Sequence, residues 1–154
     1  MYIKSNLKGN RIVRIIIGKY VSICTQEQGF YTLQLCSKLF VYKGCMLSNI
    51  PNLFLFVGYT NASWTLKSDL TSEYITRVFR YLNKHNFHSI CPKTKDASLK
   101  STPLLNLNSG YIHRAKNILP NQGDKAPWRV YQNYVLDYKM LRIDKINDSF
   151  ASFN

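Results

Sequence analysis

Glycine is scarce in this chain. There are 7 in 154 residues, and none form G-x-G-x-x-G. Such a loop lets a backbone approach a pyrophosphate and aims a helix N-terminus at it, so its absence excludes a self-contained dinucleotide pocket. Acid is scarce too, with 8 Asp and Glu against 21 Lys and Arg and a net charge of +13. The first acidic residue is Glu27, preceded by Lys4, Lys8, Arg11, Arg14 and Lys19. No apolar run approaches the roughly 18–20 residues that span a bilayer. The four cysteines, Cys24, Cys36, Cys45 and Cys91, lack the tight spacing of a disulfide framework. Reduced thiols in a cytoplasmic setting are the expectation. His113 has no local serine or cysteine partner, so no nucleophile–base pair, and no catalytic residue, is read from the sequence.

The basic residues are spread along the chain rather than clustered. Charge without a recognition motif predicts salt-sensitive, non-specific contact with nucleic acid and no specific partner of that kind. His85, His88 and Cys91 have the chemistry of metal ligands. Their spacing suits neither a zinc knuckle nor one face of a continuous helix, and no metal site is expected. The hydrophobic share of 45% is that of a folded chain.

Residues 11 to 24 are β-branched and apolar, consistent with one strand, and residues 30 to 41 with a second strand region. Turns are expected at Lys43-Gly44 and Ser48-Asn49-Ile50-Pro51. Leu53 to Val57 is a continuous apolar run suited to a central strand covered on both faces. Beyond it, Leu66, Leu70, Tyr74 and Val78 recur at helical period, with Ile75, Phe79 and Leu82 in the neighbouring stripe. The spacing predicts a helix from about Ser63 to Lys84, stopped at Asn86. Thr60, Asn61 and Ser63 could each cap it, and Ser68-Asp69 could begin a second helix after a kink. Residues 86 to 108 read as loop. A short helix is expected from Ser109 through Tyr111, Ile112, Ala115 and Ile118. A turn is expected at Asn121 to Asp124, and a last helix starting at Pro127 with Tyr131, Tyr134, Val135, Tyr138 and Leu141 on its packed face. The final ten residues read as frayed.

Between the apolar strand and the long helix lies Gly58-Tyr59-Thr60-Asn61-Ala62-Ser63-Trp64. A strand, a short polar turn and a helix N-terminus make a site for negative charge. This stretch, with Tyr42-Lys43-Gly44, Met46-Leu47-Ser48 and Pro51-Asn52-Leu53-Phe54 before it, resembles the C-terminal part of bacterial FAD- and NADPH-dependent flavin-containing monooxygenases of the Baeyer–Villiger type. The resemblance resumes at Ser109-Gly110-Tyr111 and continues through Leu119 to Gly123, Ala126-Pro127-Trp128-Arg129 and Tyr131 to Tyr134. It covers about residues 36–142.

That likeness implies an α+β fragment of a flavoprotein with two dinucleotide-binding domains. A few N-terminal strands would precede a long helix and C-terminal helices. Residues 1–35 match poorly. Residues 36–86 would end the FAD domain, and residues 87–154 would form a loop and a C-terminal helical segment. Both glycine fingerprints, for FAD and for NADPH, lie upstream of the matched region in the family and are missing here. The expected function is therefore the C-terminal portion of an enzyme that oxygenates a ketone or other small organic substrate, inactive and without cofactor alone. An upstream-encoded FAD/NADPH-binding fragment would be its partner. The resemblance gives Tyr59, Thr60, Asn61, Ser63 and Trp64 to the cofactor, with Trp64 either flanking the flavin ring or packing. A small basic binding protein, or a non-functional remnant, is the alternative.

Overall fold

Leu53–Phe56 is where the fold is anchored, in the middle of a five-stranded sheet. The computed structural model describes residues 2–7, 11–17, 23–25, 29–31, 38–94, 98–104 and 119–154. In chain order the strands are β1 (Tyr2–Leu7), β2 (Arg11–Ile17), β3 (Ile23–Thr25), β4 (Gly29–Tyr31), β5 (Val41–Tyr42), β6 (Met46–Leu47) and β7 (Leu53–Phe56). The sheet runs β1-β2-β7-β6-β5. β2 and β7 are parallel, with Arg14 opposite Leu53 and Ile17 opposite Phe56. The other pairs are antiparallel.

The turn at Lys43-Gly44 joins β5 to β6. Both residues have positive φ, 49° and 68°, which matches the twist of the flanking strands. Asn49 and Asn52 also adopt positive φ, in the region where the second turn is expected. The strand expected over residues 11–24 is described in two parts, with residues 18–22 between them outside the described residues. Arg11–Ile17 forms β2, and Ile23–Thr25 forms β3, which pairs with β4. The expected helix from Ser109 lies outside the described residues, as do Cys36 and His113.

Helix α1 spans Trp64–Lys84 without a break at Ser68-Asp69, and Asn86 follows it at φ 57°. Its buried stripe is Lys67, Leu70, Thr71, Tyr74, Ile75, Val78 and Leu82. Leu66, expected on that stripe, is 41% exposed and Lys67 takes its place. Position 67 lies three and four residues before Leu70 and Thr71, so it shares their face.

Both faces of β7 are covered. Phe54 packs with Tyr42, Tyr74, Val78, Leu82, Trp128 and Leu141 on the helix side. Leu53 and Leu55 pack with Val41, Leu47, Ile50, Leu104 and Val130 on the other. Trp128 stands edge-on to Tyr42 and Phe150, with centroids at 5.4 and 6.1 Å.

The rest of the chain departs from the sequence reading. Strands β8 (Ile90–Pro92) and β9 (Ser101–Pro103) interrupt the expected loop. Asn121–Gly123 is not a turn but strand β10, paired antiparallel with β9. Pro127 does not start a helix; it follows a cis peptide. Helix α2 begins at Tyr134, where the Asn133 side chain accepts from the amides of Val135 and Leu136, and covers Tyr134–Tyr138. A π-helical turn, Lys139–Ile143, continues it. This shorter helix is rotated from the expected one. Asp137, Met140 and Leu141 are buried, while Tyr134 and Val135 face outward. The last residues are not frayed: strand β11 (Ala151–Phe153) pairs with β8.

Candidate functional site

The junction from β7 to α1 is the site the sequence singles out. Residues 60–66 are all exposed, whereas Gly58 and Tyr59 are buried. Ser63 is the N-cap residue of α1, but its side chain makes no capping hydrogen bond. Its hydroxyl instead lies 2.7 Å from that of Thr65. No acidic residue occupies the first turn. The Ser63 side chain therefore leaves the first amides of this 21-residue helix uncapped, at a helix end whose residues 60–66 are exposed.

Trp64 is 46% exposed, and its ring lies against the Gly58 backbone. A β-carbon on Gly58 would come within 1.7 Å of Trp64 Cδ1. Gly58→Ala is therefore expected to displace the indole from the turn. Trp64 fluorescence, read in a Trp128→Phe background, should become more accessible to acrylamide, and a Gly58→Ala spectrum and quenching constant equal to the parent's would refute this contact.

The polar groups of the turn reach a distant segment. Tyr59 Oη donates to Asp137 Oδ2 at 2.8 Å. The Thr60 amide and hydroxyl donate to Gln132 Oε1 at 2.9 and 3.2 Å, and Asn61 Nδ2 donates to the Gln132 carbonyl at 3.2 Å. Lys67, in the first turn of α1, places Nζ 2.7 Å from Asp137 Oδ2, with both side chains buried. Nζ also lies 5.7 Å from the Tyr59 ring centroid. Among the described residues, Lys67 Nζ and Asp137 Oδ1 have no hydrogen-bond partner, so the contact is an ion pair without hydrogen-bond alignment.

A second buried lysine stands nearby. Lys43 Nζ lies 3.1 Å from Asp148 Oδ2 and donates to the Lys145 carbonyl at 3.1 Å. Tyr42 Oη donates to the same Asp148 oxygen at 2.6 Å. Gly44, next to Lys43 in sequence, closely approaches the other lysine: a β-carbon there would sit 3.1 Å from Lys67 Nζ. Burial pushes the Cys45 thiol up to about 12, while Lys67 and Lys43 oppose that rise and Asp137 adds to it. Burial also raises the Tyr59 phenol, reinforced by its hydrogen bond to Asp137 and by that residue's charge. A thiol held neutral at physiological pH is a packing group rather than a nucleophile.

A cavity of about 420 Å³ opens elsewhere, lined by Lys43, Pro127, Tyr131, Leu136, Met140 and Phe150 among others, and takes in none of the turn residues. Among the described residues no three His, Cys, Asp or Glu side chains gather as a metal site. His85 packs against Tyr81, with ring centroids 4.4 Å apart and planes tilted by 40°. No helix among the described residues is long and apolar enough to cross a membrane.

Known proteins share this sequence. It is 45% identical over 112 residues to the FAD-containing monooxygenase EthA of Mycolicibacterium smegmatis, covering 73% of this chain and 23% of that protein. The EthA of Mycobacterium tuberculosis is 42% identical over the same length and with the same coverage. A protein named "Probable FAD-binding monooxygenase AlmA", from Acinetobacter baylyi, is 40% identical over 119 residues, covering 77% of this chain and 24% of its own length. This chain is homologous to one segment of the FAD-containing monooxygenases. It spans about a quarter of the length of these relatives. No family model matches the chain, and no solved structure does.

Against that background, the structure gathers Tyr59, Thr60, Asn61, Ser63 and Trp64 at one turn. It also spends the polar side-chain atoms of the first three on Gln132 and Asp137. Lys67, Gln132 and Asp137, absent from the sequence-based site, complete the junction. No local signal marked them: Lys67 joins the buried stripe in place of Leu66, and its carboxylate partner lies seventy residues away.

Proposed function

We propose that this chain supplies the closing strand, turn and helix of an FAD-binding domain, together with the C-terminal segment that braces them. The enzyme it serves would oxygenate a ketone or other small organic molecule with NADPH and O₂. The observation that carries this reading is the N-terminus of α1, exposed, uncapped by Ser63 and without acid in its first turn, one short turn after a central strand. That donor set suits the electron-rich N1/O2 edge of an isoalloxazine ring. It does not suit a pyrophosphate or ribose, because no glycine-rich turn is present in the sequence. The remainder of FAD must be held by a polypeptide carrying such turns, which is the partner this reading requires.

Within that assembly the chain's own residues orient and shield. The amides of Trp64, Thr65 and Leu66 would hold the flavin edge. Tyr59, Thr60 and Asn61 fix the turn's path, and Ser63 leaves the amides open. Trp64, seated on Gly58, forms a wall that limits water. Bound FAD supplies the redox and oxygen-transfer chemistry.

Two measurements test this. The purified chain is expected to show no visible flavin absorption and no NADPH consumption with added FAD. Co-expression with a polypeptide carrying both glycine-rich turns is expected to yield a yellow complex. Stoichiometric flavin on the chain alone would overturn the reading. Ser63→Asp gives a sharper contrast. A carboxylate at the N-cap bonds the amides itself, so α1 should gain about 0.5–2 kcal/mol in urea unfolding. The complex should retain several-fold less flavin. Unchanged retention would remove the helix end from the cofactor site.

A further inference from the structure

The side-chain hydrogen bonds of Tyr59, Thr60 and Asn61 all run to one stretch more than seventy residues downstream. Gln132 receives three of the turn's donors. Its Oε1 takes the Thr60 amide and hydroxyl, and its carbonyl takes Asn61 Nδ2. Asp137 holds the two sides of the turn with one oxygen. Oδ2 meets Tyr59 from the strand side at 2.8 Å and Lys67 from the helix side at 2.7 Å.

Gln132 also holds φ at 50°, in the left-handed region that an L side chain rarely adopts. A strained backbone persists where its surroundings over-determine it. Here the strained residue engages the turn through both its side chain and its carbonyl. Asn133, next in sequence, caps α2 and so fixes where Asp137 falls one turn later.

We propose that Gln132 and Asp137 are positioning residues for the β7–α1 junction, templating from the C-terminal segment the turn that leaves the first amides of α1 open. What those amides face rests on the flavin reading above; the templating itself does not. Neither residue touches the cofactor edge in this scheme. They act through Thr60, Asn61, Tyr59 and Lys67.

The test uses the full chain labelled with ¹⁵N, and no flavin. Amide exchange is followed at Thr60 and, as an internal control, at Val78 in the middle of α1. In Gln132→Leu, exchange at Thr60 is expected to accelerate at least tenfold while Val78 is unchanged. Gln132→Gly, which relaxes the backbone but removes the acceptor, is expected to behave the same way. Gln132→Glu keeps an acceptor oxygen and is expected to retain protection. With ¹³C-labelled tyrosine, Asp137→Asn is expected to lower the pH at which Tyr59 ionises, because a neighbouring negative charge is removed and Lys67 remains. Thr60 protection that survives Gln132→Leu, or that is lost equally in Gln132→Glu, would overturn the proposal. Because no cofactor enters, such a failure is distinct from failure of the flavin reading, which the spectrum of the co-expressed complex decides.

Discussion

Lys67→Met is expected to lower the unfolding free energy by about 3–5 kcal/mol, the range for removing one partner of a buried ion pair. Asp137 is fully buried and its remaining carboxylate oxygen already lacks a partner. Without Lys67 the charge keeps, among the described residues, only the Tyr59 hydroxyl. The penalty comes from the charge left behind rather than from the worth of the pair. Lys67→Met combined with Asp137→Leu is therefore expected to recover most of the loss. Equilibrium urea unfolding of the two single variants and the double variant gives the coupling. A single variant within 1 kcal/mol of the parent would show that water reaches the pair. The Arg142–Glu73 contact, at 3.1 Å with both side chains nearly half exposed, is a useful contrast. Breaking it should cost no more than about 1 kcal/mol.

Alkaline pH is expected to unfold the protein cooperatively between about pH 10 and 12, through four buried groups acting in one direction. Cys45 ionises at about 12 against an ordinary 9.0, and burial also raises Tyr42, Tyr59 and Tyr74 above 10.0. Each is protonated in the fold where the unfolded chain has lost its proton. The native state binds more protons, so stability falls as pH rises. The contribution is complete below the unfolded values of 9–10 and is lost as pH climbs toward the folded ones. Each group takes away about 1.4 kcal/mol per pH unit in that window. Four together approach a typical domain's whole stability within two units. Far-UV circular dichroism against pH reads the transition. Cys45→Ala should delay its onset. A flat signal to pH 12 would mean that these groups are not buried in solution.

Strand β7 and helix α1 were legible because their signals are local. A continuous apolar run marks a strand covered on both faces, and recurrence every three or four residues marks a helix. The turn at Gly58 to Ser63 followed from its place between them. What the sequence hid lies in partners far along the chain. Asn121 to Gly123 has turn composition, yet it is a strand because Ser101–Pro103 offers it an edge. Pro127 looks like a helix start, but Asn133 supplies the cap and α2 begins there. Lys67 and Asp137 each look like solvated charges until the fold sets them 2.7 Å apart. The open helix end was foreseeable in kind. That Thr60 and Asn61 are spoken for by Gln132 was not, because no local rule links residues 72 and 71 positions apart.

The two buried lysines also bear on how the chain comes off the ribosome. Lys43 and Lys67 sit early in the folded region, and their counter-charges, Asp148 and Asp137, are made last. A nascent chain that has emerged only through α1 carries these two cations without the carboxylates that pair with them in the fold. Burying either as a cation in that state is costly, so β5, β6, β7 and α1 are expected to close into their final core only after Asp137 and Asp148 have emerged. Tyr42 waits on a residue 106 positions away for its hydroxyl's partner. The same arithmetic works as a safeguard. A product cut short before Asp137 cannot imitate the finished fold, because its own lysines hold the core open to the proteases that clear unfinished chains.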